Sequence, residues 1–222
     1  MDTLRTFANR IEAAEILAFH LLEYKGRNPL ILAIPRGGVP MGKVIAELLD
    51  GELDIVLVRK LSAPFNPECA IGAIDETGWV YLDPFSDELA GTDAFLEQEK
   101  SRQLNVLRQR RKLYTPHKHT IAPGGRIAII VDDGLATGAT MIAALHTVRA
   151  RRPAELVCAV PVAAPESLKQ VKPLADKVLC LYAPSGFFAV GQFYRDFRQV
   201  EDEEVIRIFS RRHNGGNAGT QA

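Results

Sequence analysis

The stretch that most constrains this chain runs from Arg126 to Arg149, RIAIIVDDGLATGATMIAALHTVR. Ile127 to Val131 is a short, almost wholly apolar run, the pattern of a strand buried on both faces of a sheet. Asp132 and Asp133 stand side by side where that strand ends. Gly134, Leu135, Ala136, Thr137, Gly138, Ala139 and Thr140 follow, and an amphipathic run from Met141 opens a helix. A buried strand passing through a tight polar turn into a helix predicts a layered α/β fold.

Each part of this stretch has a physical use. Glycine lets the backbone turn tightly and approach a ligand with no Cβ in the way. The turn feeds a helix N-terminus, where unpaired N–H groups and the positive dipole end suit a phosphate. Thr137 and Thr140 add hydroxyl donors. Ionised Asp132 and Asp133 only accept, so they suit a diol or a hydrated metal ion rather than the phosphate. Phosphate on the loop and diol on the carboxylates describe a ribose 5-phosphate. The P-loop is excluded because Ala139 stands where its lysine belongs. The dinucleotide fingerprint is excluded because the spacing is G-x-x-x-G.

VDDGLATGAT resembles the phosphoribosyl pyrophosphate (PRPP) motif of type I phosphoribosyltransferases: a hydrophobic strand, two acidic residues and a short Thr/Gly loop. Gly134 departs from it, standing where the family usually has an aliphatic residue; the change is expected to loosen the turn without removing a ligand contact. The resemblance implies a mainly parallel twisted sheet with helices on both faces, a variable hood, and Mg²⁺ as cofactor. It implies that Asp132 and Asp133 hold the ribose and reach the metal through water or the ribose hydroxyls. The turn, Gly134 and Ala136 through Thr140, would bind PRPP.

Earlier in the chain, Leu4, Phe7, Ala8, Ile11, Ala14, Leu17, Ala18, Leu21 and Leu22 recur at helical spacing, predicting an N-terminal amphipathic helix that ends at Gly26 and Asn28-Pro29. Leu30 to Ile34 reads as a buried strand. Pro35-Arg36-Gly37-Gly38 follows, before a helix from about Pro40 to Leu49. This second strand-to-helix turn offers a planar cation to phosphate oxygens, or serves only as a turn. The resemblance places the pyrophosphate loop here, on Arg36, Gly37 and Gly38, often with a cis peptide before a residue other than proline.

Leu53 to Val58 is read as the next strand, with Arg59 and Lys60 at its end. A polar, proline-bearing loop follows, then strands at Ala70–Ile74 and Trp79–Leu82. The loop suits a mobile lid. By resemblance, Arg59 or Lys60 would reach the departing pyrophosphate; otherwise both face solvent. Glu68 is a candidate base-site proton acceptor. Ser86 to Tyr114 reads as a long charged helix with one apolar stripe: Phe95, Leu96, Leu104, Leu107 and Leu113. Its Arg108–Lys112 cluster faces solvent, forms a homodimer arm, or closes over a phosphate-rich site.

Glu155–Val162 and Lys177–Tyr182 are read as strands with a short helix at Pro165–Val171. Ligands in such sheets bind beyond the strand carboxyl ends, where the strand order switches. Ala183 to Phe197 is aromatic and glycine-rich, and Glu201 to Arg212 a closing helix. Phe187 and Phe188 either stack on a flat base or fill the space beneath that helix. The resemblance places a base-binding hood here.

With 222 residues the chain suits one large domain, here 1–212 with an inserted helix, a hood and a low-complexity tail from 213 to 222. Its 27 basic and 27 acidic residues cancel, which argues against a nucleic-acid surface. No apolar run approaches the roughly 20 residues that span a bilayer. The N-terminus lacks a signal-peptide core. Three cysteines without metal spacing fit a reducing cytoplasm. His117 and His119 lie in a proline-flanked loop.

The resulting expectation is transfer of the 5-phosphoribosyl group from PRPP to a nitrogen base. Ala136 stands where 6-oxopurine enzymes carry an Asp, so hypoxanthine and guanine are not expected as acceptors. A PRPP sensor without transferase activity is the alternative. A more distant one is a phosphatase or nucleotidase using the paired Asp residues on Mg²⁺.

Overall fold

A computed structural model describes residues 6–82, 91–116 and 120–210, without the side chains at positions 67, 68 and 70. The expectations for Glu68, for His117 and His119, for the 86–90 stretch and for the 213–222 tail lie outside that description.

The element order is α1 (Arg10–His20), β1 (Leu30–Ala33), α2 (Gly38–Leu49), β2 (Glu52–Ile55), β3 (Val58–Ala63), β4 (Asn66–Asp75), β5 (Val80–Leu82), α3 (Asp93–Tyr114), β6 (Ile127–Val131), α4 (Ala139–Ala150), β7 (Glu155–Val162), α5 (Pro165–Val171), β8 (Lys177–Tyr182) and α6 (Asp202–Ser210). Five strands form one parallel sheet in the order β2-β1-β6-β7-β8. The chain builds outward from β1 to β2, then returns to the other side of β1 with β6. The switch point therefore lies between β1 and β6, where Leu30 pairs with Ala128 and Ala33 with Val131.

Both faces of this sheet are dry, which explains its nearly unbroken apolar strands. Ile31, Ile129, Val131, Val157 and Ala159 pack beneath α1 and α2. Leu30, Leu32, Ala128, Ile130, Leu156, Cys158 and Val160 pack beneath α4 and α5. The expected arrangement, a parallel sheet between two helical layers, is the one observed. Among the described residues no helix is long and apolar enough to cross a membrane.

Three expectations need correction. The strand read as Leu53–Val58 breaks at Ile55, and a new strand begins at Val58 in a separate antiparallel sheet, β3-β4-β5. Arg59 and Lys60 accordingly lie within a hairpin strand, opposite Ile74 and Ala73, rather than at the end of a strand of the parallel sheet. The N-terminal helix starts at Arg10. Asn9 caps it, accepting from the N–H groups of Ile11 at 2.9 Å and Glu12 at 3.1 Å. Just upstream, Phe7 donates its N–H to the Phe193 carbonyl and accepts from Arg195 N–H, so this segment pairs with the C-terminal region instead of coiling.

The third correction concerns α3. Leu107 is buried and Leu96 and Leu104 pack against the same cluster, as expected, but Leu113 is exposed and the buried face also takes in Glu99, Gln103 and Tyr114. Polar partners meet most of that face, although Gln103 Oε1 is left without one among the described residues. Glu99 accepts from Arg102 and Gln103. Arg111 donates to Asp54 at 2.7 Å, to the Ile55 carbonyl at 2.9 Å and to Glu76. Tyr114 donates to Asp202 at 2.6 Å. The helix thus clamps the β2–β3 crossover, the hairpin and α6 together over a third apolar cluster that includes Leu57, Leu61, Leu107 and Phe209.

Candidate functional site

The turns after β1 and β6 meet at the switch point. Their contact is close enough to require glycine twice. A Cβ on Gly37 would lie 2.0 Å from Oδ2 of Asp133, and one on Gly38 would lie 2.5 Å from the Val131 carbonyl. Pro35-Arg36-Gly37-Gly38 and Asp132-Asp133 therefore form one surface. The Pro35–Arg36 peptide is cis, the geometry that the family resemblance implied for this turn.

Asp132 and Asp133 are both partly buried. Asp132 accepts from the N–H of Asp133 at 2.9 Å. Burial pushes its carboxyl well up from the ordinary value, and the neighbouring Asp133 charge adds to this. Burial also raises Asp133, opposed by Arg10. Arg10 of α1 approaches Asp133 Oδ2 through Nε at 2.9 Å and Nη2 at 2.8 Å. It donates from Nη1 to the Arg198 carbonyl at 2.8 Å and lies over the Phe197 ring at 4.0 Å. Phe197 stacks on Tyr194, whose hydroxyl donates to the Asp133 carbonyl at 2.7 Å. Burial holds the Tyr194 phenol far above its usual range, so it stays a donor. Asp133 is thus fixed at both side chain and backbone by the two ends of the chain. Sequence reading missed Arg10 and Tyr194: 123 residues separate Arg10 from Asp133, and Tyr194 sits among aromatics that read equally as filler.

The 134–140 turn is pinned from below and open above. Leu135 bridges to Ala163 beside the end of β7, and Ser167 of α5, also missed, donates to the Ala136 carbonyl at 2.6 Å. Gly138 adopts φ +77° and leads into α4. Ala136, Thr137, Ala139 and Thr140 remain exposed around the helix N-terminus, the arrangement that receives an anion. At Gly134 a Cβ would lie 2.7 Å from Val190 and 2.8 Å from Val162. The missing side chain does not loosen the turn, because Val190 of the C-terminal segment fills its place.

A cleft of about 280 Å³ adjoins this surface. Pro35, Val56 to Lys60, Arg110, Ala139, Thr140 and Ala143 are among the residues that line it. It brings Arg59 and Lys60 to the turns after β1 and β6. Burial lowers the Arg59 pKa, and the Arg110 and Arg102 charges lower it further against Glu99. Arg36 Nη1 stands 3.5 Å from both Glu201 and Asp202. Phe187 is half-buried, its ring 5.3 Å from that of Phe193, whereas Phe188 is 90% exposed. Gln192 orders their loop, accepting from Phe188 and Ala189 N–H groups and donating to the Gly186 carbonyl.

Among the described residues no three His, Cys, Asp or Glu side chains gather as a metal cage. The two carboxylates suit a hard divalent ion that brings water and substrate oxygens as its remaining ligands, the habit of Mg²⁺.

Comparison with known proteins agrees with this geometry. The phosphoribosyl transferase domain model matches residues 5–198. A curated protein of Mycobacterium tuberculosis H37Rv, named "Putative phosphoribosyl transferase Rv0571c", is 40% identical over 213 residues, covering 95% of this chain and 48% of the relative. Its counterpart in strain CDC 1551 matches to the same extent. The chain spans about half the length of these curated relatives. The crystal structure of TT1426 from Thermus thermophilus superposes with a TM-score of 0.85 at 44% identity, covering 92% of this chain and 97% of that one. The chain belongs to the phosphoribosyl transferase domain family.

Proposed function

We propose that this protein transfers the 5-phosphoribosyl group of PRPP to a nitrogen base and releases pyrophosphate. The observation that carries the reading is the contact of Gly37 and Gly38 with Val131 and Asp133, which joins a cationic turn, two carboxylates and an open helix N-terminus into one surface. Residues 1–212 act as the catalytic unit, in a reducing cytoplasm.

The residues divide the work by charge. The exposed turn from Ala136 to Thr140 receives the 5-phosphate at the N-terminus of α4. Asp132 and Asp133 accept from the ribose hydroxyls and fix the sugar so that C1 faces the acceptor. The bond from C1 to the pyrophosphate oxygen breaks as the bond to the base nitrogen forms, and that nitrogen gives up its proton to solvent water. Positive charge develops on the ribose and negative charge on the leaving group. Arg36, Arg59 and Lys60, with the backbone at Gly37 and Gly38, stabilise the latter. Asp132 and Asp133 would hold Mg²⁺, which would supply further neutralisation of the pyrophosphate. Phe187 and Phe188 border the base. Ala136 offers no carboxylate to a purine proton, so the acceptor is not a 6-oxopurine.

The test is pyrophosphate release from Mg²⁺-PRPP against a panel of nucleobases and related heterocycles, with Asp132→Asn/Asp133→Asn as the control. Release with one acceptor, lost in the variant, is the expected result. PRPP binding without release on any acceptor would favour a sensor, and hydrolysis of phosphate esters without PRPP would favour a phosphatase.

A further inference from the structure

We propose that the inserted helix α3 is part of the ligand site and that Arg110 is a pyrophosphate-binding residue, completing a three-cation cleft with Arg59 and Lys60. The inference rests on the transferase reading and adds to it a residue, and an element, that neither family membership nor the sequence motif supplies.

The cleft is asymmetric in charge. Three cations border it, from β3 and α3, and among the described residues that line it there is no carboxylate. Its remaining wall holds Pro35 of the first turn and Ala139 and Thr140 at the start of α4. An anion that enters meets the positive end of that helix dipole as well as the side chains. The cations also crowd one another: the Arg59 guanidinium is disfavoured by burial and by Arg110 and Arg102, with Glu99 in opposition. A polyanion between them converts that repulsion into attraction.

Arg110 is held where it can act. Successive side chains on a helix diverge by about 100°. Arg111 therefore turns toward Asp54, the Ile55 carbonyl and Glu76, and its donors are spent there. Leu107 is fully buried one turn earlier, and Tyr114 is tied to Asp202 one turn later. These three anchors fix the helix rotation around Arg110, which itself remains exposed beside the cleft. Of the three readings that the Arg108–Lys112 cluster left open in sequence, this one docks it where one guanidinium reaches the site. Its planar fork suits two phosphate oxygens at once.

The experiment compares wild type, Arg110→Gln and Arg110→Lys by calorimetry, with Mg²⁺-pyrophosphate and ribose 5-phosphate as separate probes and a thermal melt of each protein. Loss of one charge-assisted contact is expected to weaken pyrophosphate binding by about tenfold or more in Arg110→Gln. Ribose 5-phosphate affinity and the melting temperature should stay at wild-type values, and Arg110→Lys should recover part of the loss. Pyrophosphate affinity unchanged in Arg110→Gln, while wild type binds it, overturns the role of Arg110 and leaves the transferase reading standing. Equal losses for both probes also overturn it, because a general distortion would then be the cause. Failure of wild type to bind either probe overturns the transferase reading and this inference with it.

Discussion

Arg10 sends two nitrogens to a single oxygen of Asp133, Oδ2, at 2.9 and 2.8 Å. Both side chains are largely buried, at 11% and 15% exposure, so the pair is shielded from water. The charge of Asp133 is balanced from α1 while the carboxylate stays on the ligand surface. Removing the cation leaves a buried carboxylate without its partner. Arg10→Met is expected to cost about 2–4 kcal/mol in urea unfolding and to weaken PRPP binding in calorimetry, with Arg10→Lys retaining part of both. Unchanged stability would mean that the pair contributes nothing net.

Gly134 and Val190 share one volume. A Cβ at Gly134 would stand 2.7 Å from Cγ1 and 2.9 Å from Cγ2 of Val190. Restoring an aliphatic residue with Gly134→Val should overpack the site by about 1–3 kcal/mol. Val190→Ala in the same chain should relieve part of that cost. Thermal melts of the two single variants and the double variant complete the cycle, and additive losses would contradict the shared volume.

Arg111 answers two carboxylates, Asp54 and Glu76, at 13% exposure. Asp54 is itself almost fully buried and also accepts from Ile121 N–H. Arg111→Met keeps much of the volume but abandons both charges. Destabilisation of about 3–5 kcal/mol is expected in denaturant unfolding. A loss below about 1 kcal/mol would show that the clamp on the hairpin is dispensable.

His146 stacks on Tyr81 with ring centroids 3.8 Å apart, and burial lowers its pKa from 6.5. The unfolded chain therefore binds a proton more readily than the folded one. The contribution of neutral His146 to stability is present above the unfolded value and is lost as pH falls below about 6.5 toward the folded value. Unfolding free energy measured between about pH 7 and pH 5 should fall less steeply in His146→Gln. An identical slope in the two proteins would contradict this assignment.

Much of the scaffold was legible because its signals are local. Ile127–Val131 and Glu155–Val162 announce strands buried on both faces, and the two Gly-bearing turns announce anion sites wherever they fall. Beyond those turns, the sequence spoke less clearly. Arg59 and Lys60 looked like the end of a strand because the break at Val56-Leu57 is as apolar as the strand before it. The polar share of the buried face of α3 was hidden because Glu99, Gln103 and Arg111 take the places where apolar residues mark a core; the partners of Arg111, at Asp54, Ile55 and Glu76, lie elsewhere in the chain. Arg10 could not be joined to Asp133 by any spacing rule, since the packing of α1 on the sheet that carries β6 brings them together. Gly134 illustrates the same limit: its small size is explained by Val190, from another part of the chain.

The most direct test of the central claim is a calorimetric titration of Mg²⁺-PRPP into wild type and into Asp132→Asn/Asp133→Asn, with circular dichroism to establish that both are folded. The account predicts saturable binding to wild type and a loss of about 100-fold or more in the variant, as two charged contacts to the ribose and its metal disappear. Equal affinity in the two folded proteins would contradict the assignment of Asp132 and Asp133 to the ribose, and with it the reading of this surface as a PRPP site.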